Sequence, residues 1–450
     1  MHVQNVTNAF VILSEAGTRV VIDPWIIDGA YDGSWIIHPQ LHDPSQYMRD
    51  LDAVIVTHVH EDHFDVEALR LLNSRTKIFF PDVWANRQIA GKKLPERLRE
   101  SAQFIPLSQE FHVVGFTFEF IPPMNKAGHL SESQDDNEVL FAIDAGVWVK
   151  DSCGTISVFL ADNFPFCLDS AGTSLEKMKG CDLLAFSYNA MADDYPVCYD
   201  NLSVEEKHQA CLKCHQIRDK AITSMFRRLV PKRGLVYSSD FMIAGSRALE
   251  FIQTCPYRYR QKDAAAECFS TNTGIPCEYL YADDDMFITP DRFDTTRKTI
   301  VETSMGERVT SLLQIKNSHT FPVCSAQDFY ETFKQAANNM CVRLEKMGLS
   351  SEWMLELVPN NPEFSSVFVD LRSSLFGVLK TRPKVSTHHP LSKRLVCRAD
   401  VEYFYALLTY KEHWDNAIMG YKLSWERYPD EYDLGLYKSL NFLHVPFRGS

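Results

Sequence analysis

Short apolar runs separated by turn residues fill the first 60 positions. Ala9-Phe10-Val11-Ile12-Leu13 and Arg19-Val20-Val21-Ile22 flank a turn at Glu15-Ala16-Gly17. Two such runs around a glycine-containing turn predict a β-hairpin. Ala53-Val54-Ile55-Val56-Thr57 is a continuous, mostly β-branched run, the pattern of a strand covered on both faces. Val66 to Leu72 reads as a short helix and Lys77-Ile78-Phe79-Phe80 as the next strand, so this stretch has a βαβ pattern. Further strands are predicted at 117–121, 139–143 and 157–160. The clearest helix spans Ser203 to Leu229. Ser203-Val204-Glu205-Glu206 is a capping box, and Pro231 and Gly234 end the helix before Leu235-Val236-Tyr237 returns to strand. Periodicity is weak after residue 254 and returns at about 326. The pattern therefore predicts an α/β protein with a main domain at 1–254, a linker or insertion at 255–325 and a smaller α/β unit at 326–450.

Composition narrows the function classes. With 45% hydrophobic and 23% charged residues, the 450-residue chain is ordinary globular material, which excludes disordered, collagen-like and coiled-coil proteins. A net charge of −13 argues against non-specific binding of nucleic acid or anionic membrane. The 12 cysteines are scattered from Cys153 onward and form no dense disulfide framework. No basic-then-apolar leader and no run of roughly 18–20 apolar residues is present. These features predict a cytoplasmic protein with reduced thiols and no nucleic-acid or membrane partner.

The chemistry concentrates in Thr57-His58-Val59-His60-Glu61-Asp62-His63, directly after the buried-strand pattern. Side chains two apart at a strand end share a face, so His58 and His60 can converge on one ion. Asp62 and His63 lie just beyond and can reach a second. Neutral imidazole and carboxylate suit zinc, iron or manganese. Cys211-Leu212-Lys213-Cys214-His215 matches a haem-attachment spacing but lies inside the capped helix, where packed thiols are expected. His388-His389-Pro390 is expected to be a surface loop, because adjacent side chains seldom point the same way.

His-x-His-x-Asp-His after a strand resembles the signature of the metallo-β-lactamase superfamily. The stretch from Asp23-Pro24-Trp25 through Gly33-Ser34-Trp35 and His38-Pro39 to His63 resembles CMP-N-acetylneuraminate hydroxylase and its relatives, near the lactonase and phosphodiesterase branch. Phe159-Leu160-Ala161-Asp162, Tyr237-Ser238-Ser239-Asp240-Phe241 and His413-Trp414-Asp415-Asn416-Ala417 are further matching pieces. The resemblance implies an αββα sandwich with a dinuclear site at the sheet edges. His58 and His60 would serve one metal, with His129 as the third histidine. Asp62 and His63 would serve the other, with Asp162 as the bridging carboxylate. The family's last histidine has no counterpart here; Tyr237 and Asp240 are the substitutes at that place. The second metal is then weakly held, differently ligated or absent. His413 and Trp414 are expected to cap the site or contact substrate. Residues 398–445 also faintly resemble a sterol-carrier-type fold.

One or two divalent ions (zinc or iron, with manganese a third choice) would lower the pKa of bound water and supply hydroxide at neutral pH. Asp62 would orient the attacking hydroxide and take its proton. The first reading is therefore a hydrolase acting on an ester, lactone or phosphodiester-type small-molecule substrate. The second is a dinuclear iron oxygenase. No cysteine is followed by histidine at the spacing of a Rieske cluster, so an oxygenase would need electrons from a separate protein. The third is a non-catalytic metal-binding homologue. The C-terminal unit is expected to close over the site or complete a homodimer.

Overall fold

The computed structural model describes residues 1–41, 43–124, 143–189, 194–245, 247–254, 261–297, 321, 323–379 and 393–446. Two mixed sheets face each other. Among the described residues, the first runs Phe293–Thr296, Asp285–Ile288, His2–Thr7, Phe10–Glu15, Thr18–Ile22, Ala53–Ile55, Lys77–Pro81, Ala102–Ile105 in spatial order. The second runs Cys277–Tyr279, Gly234–Tyr237, Leu183–Ser187, Ile156–Phe159, Gly146–Asp151, Phe116–Ile121, Glu110–Val113.

The period-two alternation of strand side chains builds the layers. Val11, Leu13, Val20, Ile22 and Ile55 point between the sheets, where they meet Phe118, Phe120, Val147, Phe159 and Leu235. Their neighbours Phe10, Ile12, Val21 and Val54 point outward against Ala68, Leu69, Ala85 and Ala90. On the far side Leu184, Phe186 and Val236 are covered by Ile222, Met225, Phe226 and Leu229 of the helix Val204–Leu229 and by Phe269. The result is the αββα sandwich. Both faces of the central strands are buried, which is why their sequences read as unbroken apolar runs.

The long helix starts as its sequence indicates. Ser203 Oγ accepts the Glu206 N–H, and the Glu206 carboxylate accepts the Ser203 N–H. Residues 261–297, within the stretch expected to be a linker or insertion, are instead part of the sandwich. Lys262–Thr273 is a helix, Cys277–Tyr279 pairs in parallel with Gly234–Tyr237, and Asp285–Ile288 pairs antiparallel with His2–Thr7. These short strands are half polar because they lie at or next to sheet edges, so the sequence pattern there is faint. Most of the strand expected at 139–143 lies outside the described residues, as do His388 and His389.

The C-terminal unit has its own five-stranded sheet, in the order Leu375–Val378, Val367–Asp370, Trp353–Pro359, Lys393–Ala399, Ser424–Tyr428. The helices Ala326–Lys346 and Val401–Leu408 pack against it. It shares one apolar core with the sandwich: Trp25, Tyr31, Trp35 and Tyr199 are buried together with Phe404, Trp414, Tyr421 and Trp425. Trp35 Nε1 donates to the Met419 carbonyl at 2.7 Å and Ser34 Oγ to the Gly420 carbonyl at 2.6 Å. Among the described residues, no helix is long and apolar enough to cross a membrane.

Candidate metal centre

The site forms where strands of both sheets end. Thr57–His63 follows Ala53–Ile55, Asp23 follows Thr18–Ile22, Asp162 follows Ile156–Phe159, and Asp144 precedes Gly146–Asp151. Open α/β sheets place ligands outside the carboxyl ends of their parallel strands, and this one conforms.

Asp23 organises the floor. It is fully buried, and its carboxylate accepts the Thr57 N–H at 2.7 Å, the Thr57 hydroxyl at 2.7 Å and His63 Nδ1–H at 2.8 Å. The Thr57 hydroxyl gives its proton to Asp23, so it accepts from His58 Nδ1 at 2.9 Å. One carboxylate thus sets two imidazoles and directs Nε2 of each inward. His63 Nε2 lies 3.3 Å from both Asp62 Oδ2 and Asp162 Oδ2. His58 Nε2 lies 3.6 Å from Asp144 and 4.0 Å from Asp162, and His60 Nδ1 lies 3.8 Å from Asp144.

Two sets of donor atoms are close enough to share an ion: His58, His60 and Asp144, and His58, His63 and Asp162. His58 Nε2 and His60 Nδ1 are buried nitrogens with no hydrogen-bond partner. A buried polar atom without a partner is costly, and a cation between these nitrogens and the carboxylates would satisfy them. The donor set therefore fits divalent metal. The cluster is open on one side: His58 and His63 are almost fully covered, whereas the side chains of His60, Asp144 and Asp162 keep 21%, 20% and 25% of their surface.

Burial, reinforced by His63 and His60, pushes His58 well below the usual histidine value; burial also lowers His60. Both rings are neutral and ready to ligate at pH 7. Burial opposes charge on His63 too, but Asp62, Asp23 and Asp162 outweigh it and push its pKa well up. Burial would raise Asp62, yet His63 and the Tyr31 hydroxyl hold it at about 2. Burial, then Asp162, pushes Asp144 up to about 8.

Of the residues expected at the site, His58, His60, Asp62, His63 and Asp162 are brought together. His129 lies outside the described residues. The ligand role expected of Asp240 is corrected, whereas that of Tyr237 stays an expectation. Tyr237 is buried between the sheets and its hydroxyl accepts the Ala161 N–H at 2.8 Å. Asp240 accepts Lys262 Nζ at 2.8 Å and the Asn8 N–H at 3.0 Å. Trp414 is corrected as well: it is a core side chain whose indole N–H reaches the Leu443 carbonyl at 3.3 Å. His413 and its neighbour Asp415 lie nearer the cluster. His413 Nδ1 accepts the Asp415 N–H at 3.2 Å, and burial, with His444 and His60, pushes its pKa to about 3. Burial pushes Asp415 up to about 7, and its charge in turn raises Asp144.

Asp144 was missed by the sequence reading, although it ends the apolar run at 139–143 just as Asp162 ends its own strand. In the sequence Asp23 stands out only through the family resemblance. Tyr31, whose hydroxyl donates to Asp62 Oδ1 at 2.6 Å, carries no sequence signal for that role.

A family model described as a beta-lactamase superfamily domain matches residues 18–223. That segment is a beta-lactamase superfamily domain. The Thr57–His63 motif, Asp23, Asp144 and Asp162 all fall inside it, while His413 and Asp415 reach the domain from the C-terminal unit. The chain is also similar, at 40% identity over 88 residues, to a Mycolicibacterium smegmatis protein named as a Rieske 2Fe-2S iron-sulfur protein. That match spans 18% of this chain and 16% of the relative's length. An isothiocyanate hydrolase from Delia radicum gut bacteria is similar over 64% of this chain and 99% of its own, at 16% identity and a TM-score of 0.44. CmlA, a diiron beta-hydroxylase from Streptomyces venezuelae, is similar over 66% of this chain and 54% of its own, at 15% identity and a TM-score of 0.42.

Proposed function

We propose that this chain is a metal-dependent hydrolase acting on an ester, lactone or phosphodiester-type bond of a small molecule. The observation that carries the reading is the convergence of three imidazoles and three carboxylates at one open sheet end. His58, His60 and Asp144 would hold one divalent ion, and Asp62, His63 and Asp162 a second. When bound, such ions polarise a carbonyl or phosphoryl oxygen and acidify water at neutral pH. The chain's own groups do the rest. Asp23 fixes the two ring orientations, and Asp62, ionised throughout the working pH range, accepts a hydrogen bond that orients water. His413 and Asp415 offer polar contacts to a substrate at the open side, and the C-terminal unit forms that wall.

A second reading is a dinuclear iron hydroxylase supplied with electrons by a separate protein. It is favoured by the donor set itself, since three carboxylates alongside three imidazoles suit iron or manganese better than a site of imidazole alone. Purified protein loaded in turn with zinc, manganese and iron, and assayed against an ester, lactone and phosphodiester panel, separates the readings. Turnover that is lost in His60→Ala with the fold intact supports hydrolysis. Stoichiometric iron, no hydrolysis and donor-dependent oxygen uptake would replace it with the second reading. Bound metal with neither activity would leave a non-catalytic homologue.

A further inference from the structure

Asn8 occupies the two-residue turn between the strands His2–Thr7 and Phe10–Glu15, at the end of the sheet that carries the metal centre. It is buried, and its backbone is left-handed, with φ 42°. Its side-chain orientation is fixed by chemistry. Asn8 Oδ1 accepts the Ser239 N–H at 2.9 Å and the Ser238 hydroxyl at 3.2 Å. A backbone N–H can only donate, so the oxygen must face Ser239 and the amide nitrogen must face the other way. There Nδ2 donates to Asp62 Oδ2 at 3.2 Å.

Three elements are arranged around this contact. The Asn8 N–H donates to Asp240 Oδ2, whose charge is matched by the buried Lys262. Ser238 and Ser239 are both left-handed, with φ 70° and 66°, so that the chain after Gly234–Tyr237 turns toward Asn8. Left-handed backbone at three non-glycine residues is costly and persists only where surrounding contacts enforce it. Tyr31 donates to Asp62 Oδ1 and Asn8 to Oδ2, the oxygen that His63 Nε2 approaches at 3.3 Å.

We propose that Asn8, clamped by Asp240 and the Ser238–Ser239 turn, is a positioning residue that aims the Asp62 carboxylate at the cation site it shares with His63 and Asp162. In this arrangement the 238–240 stretch serves the centre through Asn8 instead of by direct ligation. The inference rests on the metal-centre reading, not on the reaction catalysed.

The test is titration of metal-stripped full-length protein with Zn(II) and with Mn(II), followed by calorimetry. Asp62→Asn and His60→Ala mark the two classes of binding. Asn8→Gly keeps a residue that accepts the left-handed turn and removes the donor; Asn8→Asp keeps the acceptor for Ser239 and also removes the donor. Both are expected to change affinity in the Asp62-dependent class by about 10- to 100-fold, the usual effect of losing an outer-shell partner, and to leave the His60-dependent class within about threefold. Wild-type affinity in both variants would overturn the proposal. Equal weakening of both classes, or loss of fold in both variants, would assign Asn8 to the hairpin turn alone and overturn it as well. A wild-type protein with no Asp62-dependent class would overturn the metal-centre reading and this inference with it.

Discussion

At the scale of single residues, Asp23 is the most consequential group that does not face the cations. Replacing it by asparagine places an amide donor against the Thr57 hydroxyl or His63 Nδ1–H, both of which donate to it. His63 would then favour the tautomer with its proton on Nε2, where it cannot ligate. Asp23→Asn is expected to weaken metal binding about 10- to 100-fold, and to lower the metal-free melt because buried donors lose their acceptor. Unchanged affinity would contradict this role. Protonation gives a second prediction. His63 is raised, so its ion pairs with Asp62, Asp23 and Asp162 are intact below the unfolded histidine value and fade as pH climbs through the folded one. His58 and His60 are depressed; their contribution is present above that unfolded value and is lost as pH falls. Asp144, near 8, is largely protonated at pH 7, so its ligation should release a proton, and that release should fade as pH rises past 8. Calorimetry in buffers of differing ionisation enthalpy reads this directly, and release independent of pH would contradict it. The cluster at 58–63 was legible because its ligands are adjacent in sequence. Asp240 was misjudged because a strand-end position does not reveal that its carboxylate is already engaged by Lys262 and the Asn8 N–H.

At the scale of elements, periodicity and capping were informative wherever an element is long or covered on both faces. The helix Val204–Leu229 begins within one residue of its predicted start, since Ser203 and Glu206 form the reciprocal bonds their spacing implies. The 261–297 segment was missed for the opposite reason. The helix Lys262–Thr273 has no side-chain cap at Gln261, and the strands after it have three or four residues each. Its clearest structural mark is a close approach that the sequence cannot display. A methyl group on Gly234 would meet Cys277 Sγ and the Phe226 ring, each at 2.6 Å. Gly234→Ala is expected to destabilise the fold by about 1–3 kcal/mol, the range for overpacking a tight contact. Denaturant unfolding measures it, and a change under 0.5 kcal/mol, an ordinary surface effect, would show that the strand and helix have room to separate.

At the scale of the whole molecule, the α/β class was legible in the sequence, which also suggested a separate unit from 326 onward. The integration of that unit with the sandwich was not legible, because the shared core is assembled from residues hundreds of positions apart. Trp35 stacks on Phe241 at 3.7 Å and bonds to the C-terminal unit through Met419. A fragment of residues 1–325 would expose Trp25, Tyr31, Trp35 and Tyr199 together. It is expected to be insoluble or aggregated, and the full chain to melt in a single transition. A soluble fragment that keeps its metal would contradict a shared core. The proposed function depends on cations at the junction of the two sheets. The most direct test is an anomalous-difference map, at the metal absorption edge, of crystals grown with zinc, manganese or iron. The account predicts peaks between His58, His60 and Asp144 and between Asp62, His63 and Asp162. A map with no peak there, and imidazoles turned away from one another, would contradict it.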